Sequence, residues 1–160
     1  MYSVLIVEDE PLMRQYLLNN LSLIHPEFQV VNVARNGKEA VSVLEKTAFD
    51  LIITDIQMPG MDGLSFVKQL RDAGSSIPVI ILTGYDEFEY ARAGLRLGVA
   101  EYLLKPLNDS ELCRVLEAIK GKIETINPSK LSQSDHYKLL LPKIKFFFLN
   151  LENILFQQGP

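Results

Sequence analysis

Five short apolar runs recur along the first two thirds of the chain: Ser3–Val7, Gln29–Ala34, Leu51–Thr54, Val79–Leu82 and Glu101–Leu104. Three of them are apolar without interruption, at Val4-Leu5-Ile6-Val7, Leu51-Ile52-Ile53 and Val79-Ile80-Ile81-Leu82. Strands covered on both faces read this way, and such strands belong to parallel sheets. The segments between them switch to helical period. Met13, Leu17, Leu18 and Leu21 are expected on one face, as are Ala40, Val43 and Leu44, then Phe66, Val67 and Leu70, and last Leu112, Val115, Leu116 and Ile119. The boundaries carry physical markers. Pro11 suits the first turn of a helix. Asn36-Gly37 and Pro59-Gly60 signal turns, Gly98 can end a helix, and Asn108 to Glu111 offer caps. Alternating strand and helix with short connections predict an α/β fold: a five-stranded parallel doubly wound sheet, order 2-1-3-4-5, with five helices.

Composition narrows the class. Of 160 residues, 48% are apolar and 22% charged, which suits one packed domain of residues 1–122. A single cysteine, Cys113, permits no internal disulfide, and a reducing, cytoplasmic setting follows as the expectation. No signal-peptide pattern opens the chain, and no apolar run reaches the ~18 residues of a membrane span. The net charge is −4, and residues 1–120 hold 17 of the 20 acidic but only 11 of the 16 basic residues. That balance argues against DNA binding by this part, because duplex DNA is captured through phosphate neutralisation. It suits a divalent cation.

In doubly wound sheets, ligands bind beyond the carboxyl ends of the strands, where strand order reverses. Polar residues stand at four of those ends: Glu8-Asp9-Glu10 after the first run, Asp55 after the third, Thr83 after the fourth, Lys105-Pro106 after the fifth. Each alone has a bland reading as a cap or loop residue; four converging sets do not. Clustered carboxylates raise one another's pKa unless a cation intervenes. Mg²⁺ takes oxygen ligands, commonly one or two carboxylates with phosphate oxygens. Asp9 and Asp55 are expected as direct ligands, Glu8 through water, with the backbone carbonyl of Gln57 in reach. Lys105 and Thr83 suit a phosphoryl group, and a carboxylate nucleophile gives an acyl phosphate.

These residues, with Leu5-Ile6-Val7-Glu8-Asp9-Glu10, Asp55 to Gly63, Thr83-Gly84 and Lys105-Pro106, resemble the receiver domain of two-component response regulators. The resemblance runs from residue 2 to about 120. It implies that Asp55 accepts a phosphoryl group from a sensor histidine kinase with Mg²⁺ or Mn²⁺. Glu8 and Asp9 become the acidic pair, Lys105 the phosphoryl contact, Thr83 and Tyr102 the switch pair, and Lys105-Pro106 a cis bond. A homodimer strengthened by phosphorylation, through helix four, strand five and helix five, is implied as well. Glu8 departs from the family, where Asp is commoner. The stretch Thr83 to Ala91 is similar to receivers that precede an AraC-type DNA-binding domain, so DNA would be met only through an effector outside this sequence. Asp86, Glu87, Glu89, Arg92 and Arg96 put both signs on helix four, as dimer bridges or a solvated face.

Three other readings have discriminating features. A haloacid-dehalogenase-like phosphatase carries its nucleophile as Asp-x-Asp after the first strand, but here the candidate follows the third. A flavin module needs a phosphate loop of Ser, Thr and Gly, which Glu8-Asp9-Glu10 is not. A never-phosphorylated interaction module has no need of the intact set. The expected protein is therefore no enzyme with separate turnover, but a regulator taking part in its own phosphoryl transfer and dephosphorylation. Residues 123–150 read as linker and apolar tail, with Leu139-Leu140-Leu141 and Phe146-Phe147-Phe148. Residues 151–160 resemble a viral 3C-type protease cleavage site introduced by cloning. Cys113, His25, Met58 and Met61 draw packing or capping readings only, and His136 stands alone with no metal-ligand spacing around it.

Overall fold

The computed structural model describes residues 1–84 and 88–126, the side chains of residues 88–91 excepted. Within them the chain alternates β1 (Tyr2–Val7), α1 (Pro11–Ile24), β2 (Phe28–Ala34), α2 (Gly37–Leu44), β3 (Leu51–Asp55), α3 (Gly63–Asp72), β4 (Val79–Gly84), α4 (Phe88–Arg96), β5 (Glu101–Lys105) and α5 (Asp109–Ile126). The strands form one parallel sheet in the order β2-β1-β3-β4-β5. This is the predicted architecture.

The continuous apolar runs become the middle of the sheet because both faces are covered. Every residue of β3 is buried. Tyr2, Val4 and Ile6 of β1 face one cluster with Leu17 and Leu21 of α1 and Leu112, Val115, Leu116 and Ile119 of α5. Leu5 and Val7 face the other, with Ala40 of α2 and Phe66 and Val67 of α3. Alternate residues of one strand thus serve two helical layers. The β1–β2 register shifts between Val4 and Leu5, where Val31 of β2 is passed over, an irregularity the apolar pattern does not reveal. Leu18 corrects the expected face of α1. It is 42% exposed, because Leu17 and Leu21 already define the buried stripe and residue 18 lies about 100° round the helix from Leu17.

The helix ends follow their sequence markers. Pro11 opens α1. Asn36 and Asp62 accept hydrogen bonds from the backbone amides of Glu39 and Ser65 at the starts of α2 and α3. Asn108 does the same for Glu111 at the start of α5. Gly98, with φ of 64°, follows α4 in the left-handed conformation that glycine adopts without strain. His25 caps α1 through its backbone, and its buried ring places Nε2 2.8 Å from Glu117 of α5. Met58 and Met61 pack in the second cluster, and Cys113 is half-buried.

Two compact units divide at Ile123, while α5 continues to Ile126. The tail residues, including His136, and the segment Tyr85–Glu87 lie outside the described residues, as does the Glu89 side chain. Among the described residues no helix is long and apolar enough to cross a membrane.

Candidate functional site at the strand ends

β1 and β3 are neighbours, yet the chain leaves β1 toward β2 on one side and returns to place β3 on the other. Their carboxyl ends therefore meet at the point where strand order reverses. Carboxylate oxygens of Glu8, Asp9 and Asp55 lie within 4.8 Å of one another there. Thr83 from β4 and Lys105 from β5 complete the rim of a cleft of about 300 Å³, which Gln57 also lines. All the residues predicted for the pocket thus come together. Tyr102 stands apart on β5, opposite Ile81. Thr83 is paired with Leu104, so Thr83 and Tyr102 share one face of the sheet.

The hydrogen bonds are more specific than the sequence suggested. Glu8 is fully buried. Its Oε1 accepts from the Glu10 amide at 3.1 Å and its Oε2 from Lys105 Nζ at 2.8 Å. The same ammonium reaches Asp55 Oδ2 at 3.1 Å, while Asp55 Oδ1 accepts from the Ile56 amide at 2.7 Å. Burial pushes the Glu8 carboxyl above its usual range, and the Lys105 and Glu10 donors offset this only in part. Burial acts to lower Lys105, but its hydrogen bond to Glu8 and the charges of Asp55 and Glu8 outweigh that and hold its pKa above the ordinary value.

The surrounding backbone is fixed as well. Arg14, one turn into α1, donates from Nη1 to the carbonyls of Glu8 at 2.8 Å and Asp9 at 3.0 Å. The Thr54 hydroxyl donates to the Asp55 carbonyl at 2.9 Å, and the Gly63 amide donates to the Ile56 carbonyl at 2.8 Å. The peptide Lys105-Pro106 is cis. Sequence reasoning missed Arg14, the direct Glu8–Lys105 contact and the Ile56 amide. Only Arg14 left a trace, as a cation one helical turn beyond an acidic loop.

Three carboxylates with hard oxygen donors, one of them on the half-buried Asp9, fit a Mg²⁺-type ion: nitrogen and sulfur ligands are missing from the cluster, and its opening admits a phosphate oxygen. Lys105, whose ammonium touches both Glu8 and Asp55, supplies a countercharge for that oxygen. The set suits phosphoryl transfer to a carboxylate.

Comparison with known proteins agrees with the fold. Residues 4–117 match the family model described as the response regulator receiver domain. The chain is 32% identical over 147 residues to the uncharacterized transcriptional regulatory protein YesN of Bacillus subtilis, covering 92% of this chain and 40% of that protein. It is 35% identical over 123 residues to the transcriptional regulatory protein HptR of Staphylococcus aureus, covering 77% and 46%. The solved REC domain of AraT, a response regulator from Geobacillus stearothermophilus, superposes with a TM-score of 0.70 at 35% identity, over 78% of this chain and 96% of that one. The chain belongs to the response regulator receiver family, a regulatory family of two-component signalling. It spans less than half the length of YesN and HptR.

Proposed function

We propose that the chain is a phosphorylation-driven switch in which Asp55 takes a phosphoryl group from a sensor histidine kinase. The observation that carries this reading is Asp55 itself, buried at a strand end between an acidic pair and Lys105. The Ile56 amide and Lys105 each hold one of its oxygens, so the carboxylate is oriented before the donor arrives. An Asp55 oxygen attacks phosphorus, the O–P bond forms, and the donor's N–P bond breaks as its imidazole leaves and takes a proton. Lys105 then pairs with a phosphoryl oxygen. Asp9 and Asp55, with Glu8 through water and the Gln57 carbonyl, would hold Mg²⁺ or Mn²⁺. The ion supplies neutralisation of charge on the transferred group. Hydrolysis at the same pocket would end the signal.

The added charge, roughly −2, draws the Thr83 hydroxyl. Thr83 now donates to the Gly84 carbonyl at 3.2 Å, a weak bond to give up. Tyr102, on the same face, follows, and the surface of α4, β5 and α5 changes to strengthen a homodimer. Output in the cytoplasm passes through an effector outside this sequence. The names of YesN and HptR as transcriptional regulators support a transcriptional output; that the effector is of AraC type rests on the Thr83 to Ala91 stretch alone.

Intact mass after incubation with acetyl phosphate tests the chemistry. The wild type should gain one phosphoryl group only when Mg²⁺ is present, and Asp55→Asn should gain none. A folded wild type that gains nothing sinks the proposal.

A further inference from the structure

Gly94 lies inside α4, buried, and its backbone is not among the positive-φ glycines. Helical geometry there admits any L residue, and glycine is the poorest helix former after proline. Its presence therefore needs a reason outside the backbone. The ring of Tyr102 supplies one. A Cβ at residue 94 would overlap Tyr102 Cε2 and stand 2.6 Å from its hydroxyl oxygen and 2.9 Å from Cζ, well inside the ~3.5 Å of carbon contact. The outer half of the ring rests on the α4 backbone where Gly94 leaves it bare.

We propose that Gly94 is a positioning residue for Tyr102: it provides the inward seat between β5 and α4 that any larger side chain would close. The ring is already half-buried against the second core cluster. A methyl group at 94 would move it off α4 and toward solvent. This consequence for signalling rests on the switch reading of Thr83 and Tyr102; the seat itself rests on geometry alone.

Thermal unfolding of the full chain separates the two. Replacing a helix-interior glycine by alanine in open space should raise Tm by roughly 2–6 °C. That gain is expected for Gly94→Ala in a Tyr102→Val background, or in Tyr102→Leu if the valine variant does not fold. In the wild type and in Tyr102→Phe, which keeps Cε2, the gain should be at least halved or reversed. Equal gains in all backgrounds overturn the seat. Fluorine NMR of the 3-fluorotyrosine-labelled chain reads the ring directly, the Tyr102 signal being assigned by its loss in Tyr102→Phe. Gly94→Ala should shift that signal and expose it to a soluble gadolinium chelate; an unmoved, equally protected signal overturns the proposal. Neither result requires phosphorylation, so failure of Asp55 to accept phosphate would remove the switch and leave the seat decided on its own.

Discussion

At the scale of single residues, the site depends on close backbone approach as much as on charge. Asp55 is aimed by the amide that follows it, and the loop returning to α3 closes at Gly63, whose amide binds the Ile56 carbonyl. A Cβ at Gly63 would overlap the Asp55 carbonyl oxygen and stand 2.9 Å from its carbonyl carbon. That neighbour is backbone and cannot swing aside. Gly63→Ala is therefore expected to cost about 1–3 kcal/mol, as overpacking does, and to slow phosphoryl uptake by displacing Asp55. Gly84→Ala, where a Cβ meets nothing within 4 Å, should leave stability within about 0.5 kcal/mol. Denaturant unfolding of the two variants checks the contrast; equal effects would show that the loop yields at Gly63.

Between elements, the contacts that tie the site together were the least legible from sequence. The three central strands were readable because burial on both faces leaves an unbroken apolar run, as in β3. The pocket was readable because its residues sit at strand ends, where topology alone brings them together. Lys105 and Glu8, 97 residues apart, leave no local signal of their hydrogen bond. Nor does Arg71 of α3, whose guanidinium donates to the carbonyls of Leu97, Ser75 and Ile77 and so brackets α3 to the chain beyond α4. Tyr16 of α1 is a third case. Its hydroxyl donates to Asp109, the first residue of α5, clasping the helix after the acidic loop to the turn after Lys105. Burial, then this bond and the Asp109 charge, push Tyr16 up to about 12. The folded chain keeps that proton while the unfolded chain loses it near the ordinary tyrosine value of 10.0, so the folded state binds more protons between the two. The contribution is complete below pH ~10 and is lost as pH rises through about 12. Tyr16→Phe should flatten the stability profile across that window, and the phenolate absorbance it removes should titrate near the upper limit. Absorbance lost near the lower limit would mean that the clasp is open. Lys105, also raised, acts in the same direction in both proteins and cancels in the difference.

For the molecule as a whole, the question is how an event at Asp55 reaches a partner. Leu95 is 75% exposed and Leu104 60%, large apolar side chains with no core to fill. Leu95 adjoins Gly94, on which Tyr102 rests, and Leu104 follows Tyr102 by two positions on the same face of β5, paired with Thr83. These two exposed leucines are thus chain or strand neighbours of Gly94, Tyr102 and Thr83, where a shift of Tyr102 would be felt. Burying one leucine at an interface is worth about 1.5–3 kcal/mol, or roughly ten- to a hundredfold in affinity. Leu95→Glu and Leu104→Glu should each weaken the dimer proposed for the phosphorylated chain by at least tenfold in sedimentation, while phosphoryl uptake and Tm stay close to wild type, because both side chains are mostly exposed. If both variants dimerise as the wild type does, the phosphorylated chain associates through another surface, and the proposed movement of Tyr102 does not govern that association.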